Sequence, residues 1–245
     1  SNVTSMADMF NGAEAFNQDI SGWNTSKVTN MGWMFKNSKH FNQDIRKWDV
    51  SKVHTFTNMF AGDVAFQDTY GVPNTPVAVF FSQFDSDALK AAVVEHFQDA
   101  AAAEAKYGKL TKYDTSLVTD MSMLFRDRVT FNLDISGWNT GNVTQFEQMF
   151  NGAEAFNQDI GDWDVINAKH MEYMFKNAKA FNQNIGGWNT SNVTTINNMF
   201  QYAIVFNQPI GALNLSNVEV MNNLFDGAIA FNQEIRSWTL NDDAN

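Results

Sequence analysis

Hydrophobic and polar positions recur along this chain with a period of 25 residues. The clearest marker is a phenylalanine, in most copies followed by asparagine, which occurs at Phe16, Phe41, Phe66, Phe131, Phe156, Phe181, Phe206 and Phe231. A tryptophan follows seven residues later in most copies, and Leu213 replaces it once. An internal period of this length is typical of stacked repeats, in which each repeat packs mainly on its neighbours.

The apolar spacing changes within one repeat, and this change predicts two kinds of element. Trp23 and Thr25 flank a single polar residue, an alternation that predicts a short strand. Val28, Met31 and Phe35 then follow at spacings of three or four, which predicts a helix of about ten residues. We therefore expect an α/β solenoid of 25-residue strand-turn-helix coils, with parallel strands on one face.

The repeat motif resembles two known repeat classes. Its Ile, Trp and Thr spacing resembles the Leu-x-x-Leu-x-Leu segment of leucine-rich repeats. The fuller motif, Trp-Asn/Asp-Thr/Val-Ser-x-Val-Thr-x-Met-x-x-Met-Phe-x-x-Ala-x-x-Phe-Asn-Gln-x-Ile, resembles the repeat of BspA-like leucine-rich-repeat surface proteins. This resemblance implies a leucine-rich-repeat-like solenoid that is secreted or displayed at a cell surface, acts in adhesion and protein contact, and carries no catalytic residues.

One non-repeat segment interrupts the pattern, from Gly71 to Lys109. Acidic residues and a serine precede an apolar stripe there, which predicts a helix over about Ser86 to Lys106. We expect a first array of three repeats at 1–70, a degenerate repeat, linker and capping helix at 71–109, and a second array of five repeats at 110–245. The alternative is that the segment bulges from one continuous solenoid. Because the first residues begin inside a repeat, we also expect the natural chain to be longer.

Charge and composition narrow the classes of partner. A net charge of -11 over 245 residues disfavours nucleic acid, which is bound through clustered Lys and Arg. No stretch approaches the ~18 apolar residues of a membrane helix, so direct membrane insertion is not expected. The absence of cysteine excludes disulfides and thiolate metal sites.

Catalytic and cofactor motifs are not found in the sequence. The four histidines have no mutual spacing that suggests a metal-ligand set. Phosphate-binding, dinucleotide-binding, nucleophile-elbow and metalloprotease motifs are absent, so we expect neither an enzyme nor a cofactor. Most of the methionines and phenylalanines recur at inward positions, which favours a packing role for them.

Two polar columns adjoin the repeat phenylalanine. The first is expected to form a structural ladder between coils, because Asn side chains in turns bond backbone groups, and comprises Asn17, Asn42, Asn132, Asn157, Asn182, Asn207 and Asn232. The second contains four carboxylates that would repel one another when stacked, and these weak cation candidates are Asp19, Asp44, Asp134 and Asp159. The alternative is that these carboxylates point to solvent or accept hydrogen bonds from turn amides, with no metal bound.

A third column, the polar stripe, consists of the residue between the tryptophan position and the following Thr or Val. Its members are Asn24, Asp49, Asp114, Asn139, Asp164, Asn189 and Asn214. Exposed faces of this kind are where repeat proteins usually bind, although the stripe would also serve solubility alone. Trp33 and Tyr173 occupy one repeat position that is polar in most other copies, which suggests contact sites.

These observations favour a non-catalytic binding or adhesion module, extracellular or at the cell surface, that recognises a protein or glycan through the polar stripe. The alternative is a structural or accessory subunit of a larger extracellular or organellar assembly, with neighbouring subunits as partners. A flat ladder that binds a polysaccharide or ice is disfavoured, because the outward column is Asn and Asp rather than Thr.

Overall fold

The structure is a computed structural model, and residues 2–240 are described. The chain divides into two compact units. Unit 1 contains the residues up to Gln83 together with Ala91–Tyr113. Unit 2 contains Phe84–Lys90 together with the residues from Asp114 onward. In each unit, successive 25-residue repeats are joined by backbone hydrogen bonds and by stacked aromatic rings.

Within residues 2–240, helices occur only around the non-repeat segment. They are α1 (Val64–Tyr70), α2 (Ser86–Gln98) and α3 (Ala100–Tyr107), with short 3-10 helices at Ala78–Phe81 and Leu110–Lys112. The single helix predicted over Ser86 to Lys106 is thus two helices. Asp99 separates them because its backbone is extended and its side chain accepts a hydrogen bond from the Ala102 N–H, as an N-cap does.

The predicted α/β solenoid with parallel strands is wrong. The described residues contain no strand, but only isolated parallel bridges at about one residue per repeat, such as Asn30 with Thr55 and His170 with Thr195. In the segment predicted as a strand, the Trp23 N–H donates to the Ile20 carbonyl, three residues back, so this backbone forms a turn rather than a ladder.

The helix predicted in each repeat is also absent, and the backbone geometry explains why. Trp33 has a φ of 56° and Asn37 a φ of 58°, which no right-handed helix accommodates. The Met34 N–H donates to the Met31 carbonyl around Trp33, as in a type II turn, which requires a positive φ at its third residue. The Val-x-x-Met spacing therefore belongs to a series of turns.

Every second backbone N–H group in this series of turns donates a hydrogen bond to the next repeat. The Trp33 N–H bonds the Thr57 carbonyl at 2.9 Å, and the Phe35 N–H bonds the Met59 carbonyl at 2.9 Å. Unit 2 repeats the arrangement, for example from Tyr173 N–H to the Asn197 carbonyl at 2.9 Å. Each repeat thus satisfies its buried backbone groups partly through local turns and partly through its neighbour.

The core of each unit consists of aromatic rings stacked from repeat to repeat. In unit 2 the rings of Phe150 and Phe175 lie 5.6 Å apart with planes 4° from parallel, and Phe175 stacks on Phe181 of its own repeat at 3.9 Å. In unit 1 Phe35 and Phe60 stack at 5.8 Å. Complete burial of each such phenylalanine contributes about 1.5–3 kcal/mol, so stability depends on stacking.

The tryptophan column adds a directed hydrogen bond to this packing. The Trp188 Nε1–H donates to the Ile160 carbonyl of the preceding repeat at 3.1 Å, and Trp48 donates in the same way to Ile20. Where Leu213 replaces tryptophan, this bond is lost and a small apolar cavity remains between Trp188 and Trp238.

Among residues 2–240, no helix has the length and apolar character needed to cross a membrane.

The left-handed turn positions generate a first prediction. Gly152 has a φ of 74°, and a Cβ there would lie 2.6 Å from Asp127 Oδ1 and 3.3 Å from Asp127 Cα. We expect Gly152→Ala to lower the free energy of unfolding by about 2 kcal/mol, measured by urea denaturation. Gly137→Ala is the matched control, because a Cβ at Gly137 meets nothing within 4 Å and its φ is not positive. An equal loss in both variants would contradict the turn geometry.

Candidate functional site

The predicted asparagine ladder residues are joined by hydrogen bonds within each unit. In unit 1 the Asn42 N–H donates to Asn17 Oδ1 at 2.9 Å. In unit 2 the same bond is made at 2.9 Å by the pairs Asn157–Asn132, Asn182–Asn157, Asn207–Asn182 and Asn232–Asn207, the backbone donor being named first. The neighbouring glutamine adds a second donor, as Gln183 Nε2 does to Asn157 Oδ1 at 2.9 Å. These asparagine oxygens are therefore engaged in holding the repeats together.

A second asparagine column, which was not predicted from the sequence, runs through unit 2. In each case Nδ2 donates to a backbone carbonyl of the preceding repeat: Asn142 to Ser116, Asn167 to Gly141, Asn192 to Ile166 and Asn217 to Ser191, at 2.6–2.8 Å. The recurrence of asparagine three residues after the polar stripe position was the available sequence clue. In unit 1 the equivalent position is lysine at Lys27 and Lys52.

The polar stripe residues all adopt one local structure. The side-chain Oδ1 of each accepts the backbone N–H two residues later, as in Asn24 to Ser26 (3.2 Å), Asp49 to Ser51 (3.0 Å) and Asp164 to Ile166 (3.0 Å). The same bond is formed by Asp114, Asn139, Asn189 and Asn214. These Asx turns fix the side-chain direction. All the stripe residues except the half-buried Asp114 are exposed.

Hydrogen bonding lowers the pKa of one stripe carboxylate, Asp49. The Ser51 hydroxyl and N–H hold the pKa of Asp49 below its usual value, and Lys52 adds a smaller attraction. Each repeat thus presents a carboxylate or an amide at one oriented, exposed position. Such groups can accept or donate hydrogen bonds to a ligand, and the carboxylates can pair with a cation.

The weak cation candidates do not assemble a metal site in the described part of the chain. Asp19, Asp44, Asp134 and Asp159 each accept the N–H two residues later. Asp44 also pairs with Arg46 at 2.7 Å. Between residues 2 and 240 there is no group of three or more His, Asp or Glu side chains placed to hold a metal ion.

The two predicted aromatic contact residues lie in different units. Trp33, in unit 1, is 38% exposed, whereas Tyr173, in unit 2, is half-buried, with Lys176 Nζ 5.4 Å from its ring centre. Both have a positive φ, of 56° and 58° respectively. Their shared repeat position is therefore one of the left-handed turn positions, and the structure does not bring the two rings together in one unit.

An open groove in unit 1 was not predicted from the sequence. It has a volume of about 490 Å³ and lies between the second repeat and the 3-10 helix of the non-repeat segment. Its lining residues are Trp48, Asp49, Val50, Ser51, Val53, Ala78, Val79, Phe81 and Ser82. Its lining therefore combines one stripe carboxylate and two serines with four aliphatic and two aromatic side chains.

Comparison with known families shows which family the chain belongs to. A family model described as "Mycoplasma protein of unknown function, DUF285" matches residues 1–86, 91–201 and 184–245. The chain belongs to this family. The match supports the repeat interpretation, and it covers the non-repeat segment as well, since only residues 87–90 lie outside it. No curated protein and no solved structure shows a significant match. The DUF285 description itself assigns no activity.

A buried carboxyl distinguishes the third repeat of this DUF285 chain. Asp63 occupies the position that is Ala13, Ser38 or Ala153 in other repeats, and it is fully buried at the N-cap of α1. Its Oδ1 accepts the Phe66 N–H at 3.2 Å, while its Oδ2 is buried without a hydrogen-bond partner. Burial raises the pKa of Asp63 to about 7, against a smaller opposing effect of the Phe66 hydrogen bond.

The asparagine ladder generates a second prediction. Asn157→Ala removes the acceptor of the Asn182 N–H and of Gln183 Nε2, so we expect a loss of about 1–3 kcal/mol in the free energy of unfolding. Asn157→Asp keeps Oδ1 and should lose less. Asn232→Ala is the control, because the Asn232 side chain accepts no ladder bond among the described residues. Equal losses at Asn157 and Asn232 in urea denaturation would contradict the ladder's role.

Asp63 generates a third prediction, on pH dependence. Its pKa is about 7 in the folded chain against an ordinary value of 3.8, so the folded state holds the proton more tightly. The stability that Asp63 contributes is therefore complete below pH ~4 and declines as pH rises towards 7. Asp63→Asn keeps the N-cap acceptor and removes the ionisation.

The measurement compares urea unfolding at pH 4.5 and pH 8. We expect Asp63→Asn to stabilise the chain relative to wild type by about 1–3 kcal/mol more at pH 8 than at pH 4.5. Asp68→Asn, which replaces an exposed carboxyl of the same helix, is the control. A stability difference between Asp63→Asn and wild type that is the same at both pH values would show that Asp63 does not titrate on unfolding in this range.

Proposed function

We propose that this chain is a non-catalytic binding or adhesion module, secreted or displayed at a cell surface, that recognises a protein or glycan through the polar stripe. The observation that supports this function is the repeated Asx turn. In unit 2 five consecutive repeats each hold a stripe side chain in the same local geometry, and four of the five are exposed.

Preorganisation is the physical reason that such a column suits recognition. Binding normally loses free energy when mobile side chains become ordered. Here the turn hydrogen bonds have already oriented Asn139, Asp164 and Asn189, which lie in successive repeats. A ligand with regularly spaced hydroxyl, amide or cationic groups can therefore contact several of these side chains at once, at little ordering cost.

The repeat motif supports the choice of a surface role. Its Trp-Asn/Asp-Thr/Val segment, which contains the stripe residue, is part of the resemblance to BspA-like surface proteins. We propose on this ground that the DUF285 repeats of this chain serve the adhesive role implied by that resemblance. The net charge of -11 favours neutral or basic partners over nucleic acid.

The fourth prediction tests the stripe without disturbing its turns. Two separate variants are made: Asn24→Asp combined with Asp49→Asn in unit 1, and Asn139→Asp combined with Asp164→Asn in unit 2. Each variant keeps every Oδ1 acceptor and leaves the net charge unchanged. The wild-type chain is first screened against immobilised glycans and extracellular-matrix proteins, and each ligand found is then titrated by surface plasmon resonance. We expect both exchange variants to bind the ligand roughly tenfold more weakly than the wild-type chain does, because the charge pattern of the stripe no longer matches the ligand.

The matched control is a charge exchange elsewhere on the exposed surface of unit 2, Lys169→Glu with Glu219→Lys. It should leave the affinity unchanged. If the stripe exchange and this control have the same effect on every ligand found, or if no glycan or protein binds the wild-type chain, the proposed function is wrong.

A further inference from the structure

The groove of unit 1 lies where the regular array is interrupted. In a complete array the tryptophan of the third repeat would follow Trp48, but Pro73 occupies that sequence position. The backbone groups of the third repeat are satisfied differently, because the Phe60 N–H donates to the Asn74 carbonyl at 3.0 Å and the Asn58 N–H to Thr75 Oγ1 at 2.8 Å. The open groove adjoins this irregular repeat, and its lining contains the buried Trp48 beside the more exposed Asp49, Val50, Ser51 and Val53.

The opposite wall of the groove is firmly anchored. Phe81 stacks on Phe56 of the third repeat with ring centres 5.3 Å apart, and Phe80 makes an edge contact with Phe66 at 6.1 Å. Both phenylalanines of the 3-10 helix are buried. The wall is therefore held by the unit 1 core, so the groove exists before any ligand binds, which lowers the ordering cost of binding.

The chemistry of the lining indicates a cation with an aliphatic stem. Val50, Val53 and Val79 are only half-buried and provide apolar contact surface. Asp49 supplies the one charge in the lining, and no salt bridge to Asp49 is formed among the described residues. A lysine side chain has this combination, since its four-carbon stem packs on apolar surface while its ammonium remains at a polar rim.

The turn hydrogen bond of Asp49 leaves its carboxylate able to pair with a cation. Asp49 Oδ1 accepts the Ser51 N–H at 3.0 Å. Asp44 makes the same turn bond and still pairs with the Arg46 guanidinium through both of its oxygens, so the turn does not prevent an ion pair. An ammonium acts as a compact charge that needs only one carboxylate oxygen. Because the groove is open rather than enclosed, it suits a side chain presented by a larger molecule better than a free small amine.

We propose that this groove binds a lysine side chain of a protein partner, with Asp49 pairing with the ammonium and Val50, Val53 and Val79 contacting the stem. This inference rests on the proposed function and names the partner chemistry for one member of the polar stripe. Asp164 forms the same turn in unit 2 but is not part of this groove, so it does not bind lysine in this manner.

The fifth prediction tests this groove directly. The probe is the peptide Ac-Gly-Gly-Lys-Gly-Gly-amide, titrated into the isotope-labelled full chain and followed by NMR at the Trp48 indole and the Val79 methyl groups. A matched peptide carries norleucine, which lacks the ammonium. We expect the lysine peptide to shift these signals saturably, and the norleucine peptide to bind at least roughly fivefold more weakly.

Two variants separate the groove from general charge effects. Asp49→Asn keeps the turn acceptor and should weaken the lysine peptide roughly tenfold, whereas Asp164→Asn makes the same chemical change in unit 2 and should have no effect. Unchanged dispersion of the Trp48 signal shows that Asp49→Asn remains folded. Equal binding of the lysine and norleucine peptides, insensitivity to Asp49→Asn, or no saturable shift would each overturn the proposal.

Failure of the groove and failure of the proposed function are distinguishable. If the lysine peptide does not bind but the stripe exchange still weakens a glycan or protein ligand, only the lysine groove is wrong. If the lysine peptide binds as expected but no ligand responds to the exchange in unit 2, Asn139→Asp with Asp164→Asn, the groove is upheld as a lysine site, and recognition through the wider stripe is wrong.

Discussion

The whole architecture depends on backbone N–H groups being donated from one repeat to the next. This transfer requires turns in which a residue adopts positive φ, as Trp33, Gln148 and Tyr173 do. A left-handed conformation costs about 1–2 kcal/mol for an ordinary L-residue. These three residues also donate their own N–H groups to the following repeat, as Gln148 does to the Glu172 carbonyl at 3.0 Å, and each is followed two residues later by a buried phenylalanine. Stacking and backbone pairing thus offset the local strain, and neither would hold one repeat alone.

The repeat and its inward columns could be predicted from the sequence, because identical side chains at a fixed spacing must face the same neighbours. The elements within the repeat could not. A spacing of three or four apolar residues suits a helix, but Met31, Met34 and Phe35 are also buried by consecutive turns. Glycine and asparagine favour positive φ, and asparagine does occupy this position at Asn58 and Asn198, but Trp33 and Tyr173 obscured the signal in their repeats. The strand prediction also failed, because the Asn24 side-chain Oδ1 accepts the backbone N–H of Ser26 and so forms a turn.

The candidate site shows the same division between what can and cannot be predicted. Alternation of apolar and polar residues was enough to place Asn24, Asp49 and Asp164 on an exposed surface. It could not indicate the Asx turns that orient them, because those depend on the local backbone. The groove was beyond prediction for a different reason: its wall comes from Ala78–Phe81, a segment without repeat periodicity whose position follows from Phe80 and Phe81 entering the core.

Irregularity is where a repeat protein of this kind can acquire selectivity. Asp49 and Asp164 are the same residue in the same turn, with equivalent hydrogen bonds of 3.0 Å. The turn alone therefore gives no means of telling them apart. What differs is the surroundings, since Asp49 alone of the two lines the groove made by the non-repeat segment. The regular repeats supply a rigid frame and a uniform polar column, whereas the interruption places apolar side chains beside one carboxylate and so gives it surroundings that the other stripe residues lack.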